Sequence, residues 1–330
     1  MFYIIVEDIM STFMVFFFFF FGLLLIIKGG DWFVDASSWI ARVSGIPQFI
    51  VGATIVSIAT TLPEILVSVM AAVEGNVTMA TGNAIGSVTA NTGMILALSL
   101  IFMPVAINRK KYMTKFIILI ASIILLWAFS LKGSLSIFAS VILFICFVAF
   151  IVENVFDAKK DISSQKAEEK EPTDKKTVIK NIILFILGAV GLFVGSRLLV
   201  DNGSLIATDI LHIDERIVSL TMVAIGTSLP ELVTTITAIV KKQSSLSVGN
   251  IVGANIIDIL LILPICAFVS GGSLPVASST IMIDLPVCFA VTLISLIPPM
   301  IFKKFYRWQG IANLIIYISY LVYVCFFGVH

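Results

Sequence analysis

Charge is scarce in this sequence. Of 330 residues, 12% are Asp, Glu, Lys or Arg and 59% are hydrophobic, and the mean hydropathy is +1.11. A soluble domain cannot hide that much apolar surface, so the composition excludes a water-soluble fold and leaves a polytopic membrane protein. A net charge of +1 gives no support to nucleic-acid binding. Cysteine is nearly lacking: Cys146, Cys266, Cys288 and Cys325 stand singly in apolar segments, without the paired spacing of a disulfide framework or a zinc site. They read as small buried hydrophobes. The N-terminus carries Glu7 and Asp8 in place of a basic region, so no cleaved signal peptide is expected.

What is plentiful is long apolar runs. Ten stretches can cross about 30 Å of hydrocarbon: residues 11–28, 47–73, 79–106, 114–131, 134–153, 178–201, 215–240, 245–269, 279–301 and 309–329. Phe16 to Phe21 reads as lipid-facing bulk. Lys and Arg are retained in cytoplasmic loops. With both termini extracellular, 18 of them fall inside and only Lys132, Arg197 and Arg216 outside. The absence of regulatory domains fits a prokaryotic plasma membrane.

The chain also repeats itself. Gly29, Val34, Asp35, Ser38, Ile40 and Ala41 match Gly195, Val200, Asp201, Ser204, Ile206 and Ala207; after a one-residue slip, Ile50, Val51, Thr54 and Val56 match Ile217, Val218, Thr221 and Val223. This is a duplicated five-span unit, residues 1–156 and 178–330. Residues 157–177, polar and mixed in charge, form a cytoplasmic linker between them. Five is odd, so the second unit enters the membrane upside down. The expected fold is therefore all-α, ten transmembrane helices in two inverted five-helix repeats, with any substrate site near the midplane between them.

Each half carries one motif. The first reads Thr60, Thr61, Leu62, Pro63, Glu64, then Gly82, Asn83, Gly86, Ser87 and Asn91. The second reads Thr227, Ser228, Leu229, Pro230, Glu231, then Gly249, Asn250, Gly253, Ala254, Asn255 and Asp258. A carboxylate inside an apolar span is expensive and marks a candidate functional site. Pro63 and Pro230 are expected to break their spans just before the glutamates, which is tolerated where backbone lines an enclosed or wet cavity. Gly82 with Gly86, and Gly249 with Gly253, suit close helix packing. Ser87 and Asn91, one turn apart, share a face, as do Ala254 and Asp258.

The inward-facing set is Glu64, Glu231 and Asp258, the amide of Asn91, and the hydroxyls of Thr60, Thr61, Ser87, Thr227 and Ser228. All are hard oxygen donors, and no His lies near. Such a set suits Ca²⁺, Mg²⁺, Na⁺ or protons rather than softer transition metals. Three clustered carboxylates need compensating cations in a low-dielectric site, and competition between kinds of cation for one site is a coupling mechanism. A channel could also use carboxylates and hydroxyls. An intramembrane hydrolase would need a nucleophile–base pair or a His pair beside the acids, and neither accompanies them. Asp35 and Asp201, near the expected ends of the first and sixth spans, read as capping or interfacial residues.

On these residues the chain resembles the cation/calcium exchanger superfamily, closest to the prokaryotic sodium/calcium exchangers; the two motif regions, 52–99 and 219–266, look like its alpha-repeats. The resemblance covers nearly the whole chain. It implies that Glu64, Asn91, Glu231 and Asp258 bind Ca²⁺ in competition with Na⁺. It also implies that the hydroxyls of Thr60, Ser87 and Thr227 and the carbonyls of Ser57 and Ala224 help coordinate Na⁺. The function implied is Ca²⁺/Na⁺ antiport by alternating access, not an enzyme, with no cofactor and with the lipid bilayer and the transported ions as partners; a Ca²⁺/H⁺ exchanger of the same fold is the alternative. Two departures stand out. Ala254 replaces the Ser usual in the second repeat, and Ala59 in the first repeat stands where the second has Gly226.

Overall fold

A computed structural model describes residues 2–104, 107, 109–164, 174–212 and 226–327. The described helices are α1 (Phe2–Ser44), α2 (Gln48–Thr60), α3 (Leu62–Val73), α4 (Val77–Phe102), α5 (Arg109–Ser130), α6 (Ile137–Ser164), α7 (Lys175–Ile210), α8 (Leu229–Val240), α9 (Ser244–Val269), α10 (Thr280–Phe302) and α11 (Arg307–Phe327). Eight of them are long and apolar enough to cross a membrane, and α2 with α3 forms a ninth crossing bent by 46°. Of the seventh expected span the structure describes α8 and the residues just before it, because 213–225 lie outside the described residues. Two three-residue strands, β1 (Ser134–Ser136) and β2 (Ser273–Pro275), pair antiparallel with Leu135 opposite Leu274.

The break between α2 and α3 follows from local chemistry. Thr61 occupies the joint, Pro63 sits in the first turn of α3 where its missing N–H costs nothing, and Glu64 shares that turn. The same arrangement starts α8, with Ser228, Pro230 and Glu231. Each glutamate thus lies at the positive end of a helix dipole. The two helices also end alike. The amides of Glu74, Gly75 and Asn76 bond to the carbonyls of Met70, Ala72 and Ala71; those of Lys241, Lys242 and Gln243 bond to Thr237, Ile239 and Ala238. Gly75 and Lys242, at matching positions, both take positive φ, +80° and +57°. The duplication seen in the sequence therefore extends to individual backbone bonds.

Helices α4 and α9 run through the interior, and every residue of α9 from Leu246 to Leu260 is buried. On its outer face the molecule is apolar, with Phe17, Phe20 and Phe21 of α1 exposed as a lipid-facing helix requires. Helices α1 and α7 pack along a seam of glycines. A Cβ on Gly22 would lie 2.9 Å from the carbonyl of Gly195, and one on Gly29 2.9 Å from that of Gly188. Such backbone-to-backbone approach is the membrane use of small residues.

Several boundaries differ from the sequence expectation, among them the start of the fifth span, where 134–136 is the strand β1, and the end of the sixth, where α7 runs past 201 to Ile210. Helix α1 runs past residue 28 to Ser44, because nothing stops it before Gly45 at φ +72° and Pro47. Asp35 and Asp201 accordingly sit inside helices and cap nothing. Helix α6 continues to Ser164, so the start of the expected linker is helical. Its extension is held by a ladder of ion pairs: Lys111 to Asp161 at 2.9 Å, Lys115 to Glu153 at 2.6 Å, and Lys115 to Asp157. The other end of the linker is a helix start, where Asp174 caps α7 by accepting from the Thr177 amide at 3.2 Å. All four cysteines are free.

Candidate ion-binding site

The joint between α2 and α3 and the start of α8 meet inside the molecule and exchange contacts. The hydroxyl of Thr61 donates to Oε1 of Glu231 at 3.3 Å, and that of Ser228 donates to Oε1 of Glu64 at 3.4 Å. Thr61 and Ser228 are repeat equivalents, as are the two glutamates, so each half supplies a hydroxyl to the carboxylate of the other. A second reciprocal pair surrounds the first. The hydroxyl of Thr60 donates to Oδ1 of Asn250 at 3.0 Å, and that of Thr227 to Oδ1 of Asn83 at 3.4 Å. The amide groups of these asparagines are anchored in turn, Asn83 to Ser68 at 2.9 Å and Asn250 to Thr234 at 3.1 Å.

Glu64, Asn91, Glu231, Asp258, Thr60, Thr61, Ser57, Ser87 and Ser228 are all buried, and Thr227 partly so. Glu64, Glu231 and Asp258 lie within electrostatic reach of one another. Asn91 and Asp258 each open a π-helical turn, Asn91–Leu96 and Asp258–Ile262, at the same place in their helices. Such turns insert an extra residue and recur at functional sites, because they re-aim side chains.

The oxygens left over carry the chemical argument. Oε2 of Glu64, Oε2 of Glu231, both Oδ atoms of Asp258 and Oδ1 of Asn91 are buried without any hydrogen-bond donor. An unsatisfied buried oxygen of this kind is costly, most of all on a carboxylate, and here four carboxylate oxygens and one amide oxygen come from the four residues singled out by the sequence. Asn255 Oδ1 and Thr235 Oγ1 are likewise unpartnered, one turn from Asp258 and Glu231. Cation coordination satisfies acceptor-only oxygens of this kind. Among the described residues no three His, Cys, Asp or Glu side chains are placed to hold a metal ion by themselves; the oxygens gathered here are carboxylate, amide and hydroxyl together. The carbonyl of Ser57 is already engaged, accepting from the Thr61 amide at 2.9 Å and the Thr60 hydroxyl at 3.4 Å. Ala224 lies outside the described residues. Ala254 is fully buried and brings no oxygen side chain to the set.

A cavity of about 190 Å³ reaches the site from one side, lined by Pro63, Val67, Ser196, Arg197, Asp201 and Thr227 among others. Away from that cavity's lining α1 packs closely on α8: a Cβ on Gly30 would lie 2.8 Å from Val233 and 3.1 Å from the Thr237 hydroxyl.

Asn83 and Asn250 were not among the site residues picked from the sequence, although both stand in the motifs. Their role is to hold Thr60 and Thr227 in place. Removing Asn250 leaves the Thr60 and Thr234 hydroxyls short of a partner in a buried site, so Asn250→Ala should lower stability by about 1–3 kcal/mol. In a double-mutant cycle with Thr60→Val, thermal melts should give a coupling of about 1 kcal/mol. Additive losses would mean that the two side chains do not interact.

The chain is also similar to known proteins along most of its length. A family model described as sodium/calcium exchanger protein matches residues 14–156 and 180–326. An uncharacterized membrane protein of Methanocaldococcus jannaschii is 34% identical over 300 residues, covering 88% of this chain and 91% of the relative. The sodium/calcium exchanger MaX1 of Methanosarcina acetivorans is 28% identical over 337 residues, covering 90% and 94%. A structure of the sodium-calcium exchanger NCX_Mj, soaked with Na⁺ and Sr²⁺, superposes with a TM-score of 0.82 at 32% identity, covering 94% of this chain and 99% of that one.

Proposed function

The chain belongs to the sodium/calcium exchanger protein family, a family of membrane transporters, and from that premise we propose that it exchanges Ca²⁺ for Na⁺ by alternating access at the Glu64–Asn91–Glu231–Asp258 cluster. The observation that carries this reading is the set of five donorless oxygens on those four residues. Ca²⁺ takes six to eight oxygen ligands, and carboxylates with flanking hydroxyls supply them. Na⁺ uses the same hard donors, with Thr60, Thr61, Ser87, Thr227 and Ser228 around the cluster. Like charges cannot all occupy one site, so binding of one cation species displaces the other.

The reciprocal contacts between the halves support the inverted-repeat reading, in which the fold is completed by a tenth crossing ending in α8. With that count the positive-inside bias puts both termini outside and the 157–177 region in the cytoplasm. The glycine seam supports α1 and α7 as one moving unit against a core built on α4 and α9.

Ala254 favours one second reading. A missing hydroxyl weakens a Na⁺ site and leaves proton coupling as the alternative. In proteoliposomes held at a fixed potential, an outward Na⁺ gradient is expected to drive ⁴⁵Ca²⁺ uptake, while an outward proton gradient alone is not. Uptake driven by protons alone would replace Na⁺ by H⁺ as the counter-ion; no uptake with either would overturn the antiporter reading.

A further inference from the structure

The packing of α1 on α8 carries a charged clasp that the site does not use. Lys241, just past the end of α8, lies 2.8 Å from Asp35 and 3.4 Å from Asp31 on α1, and its ammonium also donates to the Asp31 carbonyl at 3.0 Å. These contacts seal α1 to α8 beyond the point where Gly30 meets Val233 and Thr237.

The repeat gives each of these residues a counterpart. The alignment that matches Gly29 with Gly195 and Asp35 with Asp201 matches Asp31 with Arg197, and the one that matches Glu64 with Glu231 matches Lys241 with Glu74. The charges are exchanged. Where one half has an acid on the long helix and a lysine after the broken one, the other has Arg197 on α7 and Glu74 after α3. In the structure these two are apart and exposed. Arg197 rests 5.3 Å over the ring of Phe193 at the wall of the cavity, and neither it nor Glu74 forms an ion pair among the described residues.

The counterparts of the closed packing surface are open as well. Leu66 and Met70, which match Val233 and Thr237, are 45% and 54% exposed, whereas Val233 and Thr237 are covered by α1. One side is clasped and the other is not, although the two halves share the turns that end α3 and α8 and the reciprocal hydroxyl bonds between them.

We propose that Glu74 and Arg197 form the second of two alternating ionic latches: the Lys241–Asp31/Asp35 latch holds one face shut, and the Glu74–Arg197 latch closes the other when the first opens. The inference rests on the alternating-access reading. The glycine seam supplies the mechanical link, because α1 and α7 approach too closely to slide apart, so drawing α7 onto α3 pulls α1 off α8. Each latch is partly exposed to water and therefore weak, which suits a device that must break in every cycle.

The test uses the full-length transporter with its four native cysteines replaced, in proteoliposomes. Glu74→Cys with Arg197→Cys is treated with a short bifunctional maleimide, with and without ion gradients. Cross-linking is expected during turnover, with loss of Ca²⁺ uptake, and little without turnover. Asp35→Cys with Lys241→Cys should cross-link at rest. In a separate pair, Glu74→Arg should shift the balance of the two open states by about two- to five-fold, the scale of a partly exposed ion pair, and adding Arg197→Glu should restore it. A cysteine pair at 74 and 197 that supports uptake yet does not cross-link during turnover would overturn the latch. Uptake absent already from the cysteine-free parent, when the native protein transports, sends the same cross-link to a single-cysteine-retaining background with the same two outcomes; uptake absent from the native protein overturns the antiporter reading, and the latch with it.

Discussion

Glu64→Gln and Glu231→Gln should each abolish Ca²⁺ uptake while leaving the protein folded. Glutamine keeps an oxygen to accept the hydroxyl that each carboxylate now accepts, from Ser228 or from Thr61, so the reciprocal bonds between the halves survive. What disappears is one negative charge from a buried cluster. Removing one partner of a buried charge interaction costs about 3–5 kcal/mol, which is a loss of about a hundredfold or more in cation affinity. The same change should raise the melting temperature of the ion-free protein, because Oε2 of each glutamate is buried with no donor and a neutral amide is cheaper to bury. Calcium should stabilise the native protein by mass action and the variants hardly at all. Thermal melts with and without Ca²⁺ separate these effects. A variant that still gains stability from Ca²⁺ as the native protein does would remove its glutamate from the site.

A second large effect is expected at Gly249. Its Cβ would fall 2.2 Å from the carbonyl of Phe49, and a Cβ on Gly52 would fall 2.4 Å from that of Leu246. Both neighbours are backbone atoms, so no side chain can swing away. This contact between α2 and α9 sets the distance at which Thr60 meets Asn250 and Ser57 meets Gly253. Overpacking costs about 1–3 kcal/mol where side chains can adjust, and the cost should be higher here. Gly249→Val is expected to melt at a markedly lower temperature and to lose transport, with Gly249→Ala between it and the native protein. A valine variant with native stability and uptake would mean that α2 and α9 do not approach this closely.

Much of this was legible in the sequence because it is local or periodic. The apolar runs, the duplication, and the Pro-Glu breaks at Pro63 and Pro230 depend on residues a few positions apart, and an acid in an apolar run announces itself. What could not be read depends on partners far along the chain. Nothing in the motifs gives Asn83 and Asn250 a role; their partners Thr227 and Thr60 are 144 and 190 positions away. Asp35 looked like a helix end because a charge in an apolar stretch suggests a boundary; its ammonium partner is Lys241, from the other half. A linker starting at 157 follows from the sequence for the same reason: Asp157 and Asp161 read as solvated, whereas Lys115 and Lys111 of α5 stand opposite them in the fold.

The central claim is that a transported cation sits among the side chains of Glu64, Asn91, Glu231 and Asp258. The most direct test is a crystal structure of the protein grown with Ca²⁺ and no Na⁺. One strong peak of density is expected between the α2–α3 joint and the start of α8, with oxygens of these residues at about 2.3–2.6 Å from it, and the peak should be lost when Na⁺ is added in excess. A Ca²⁺ ion found elsewhere in the membrane-spanning region, with these four side chains bonded only to the protein, would contradict it.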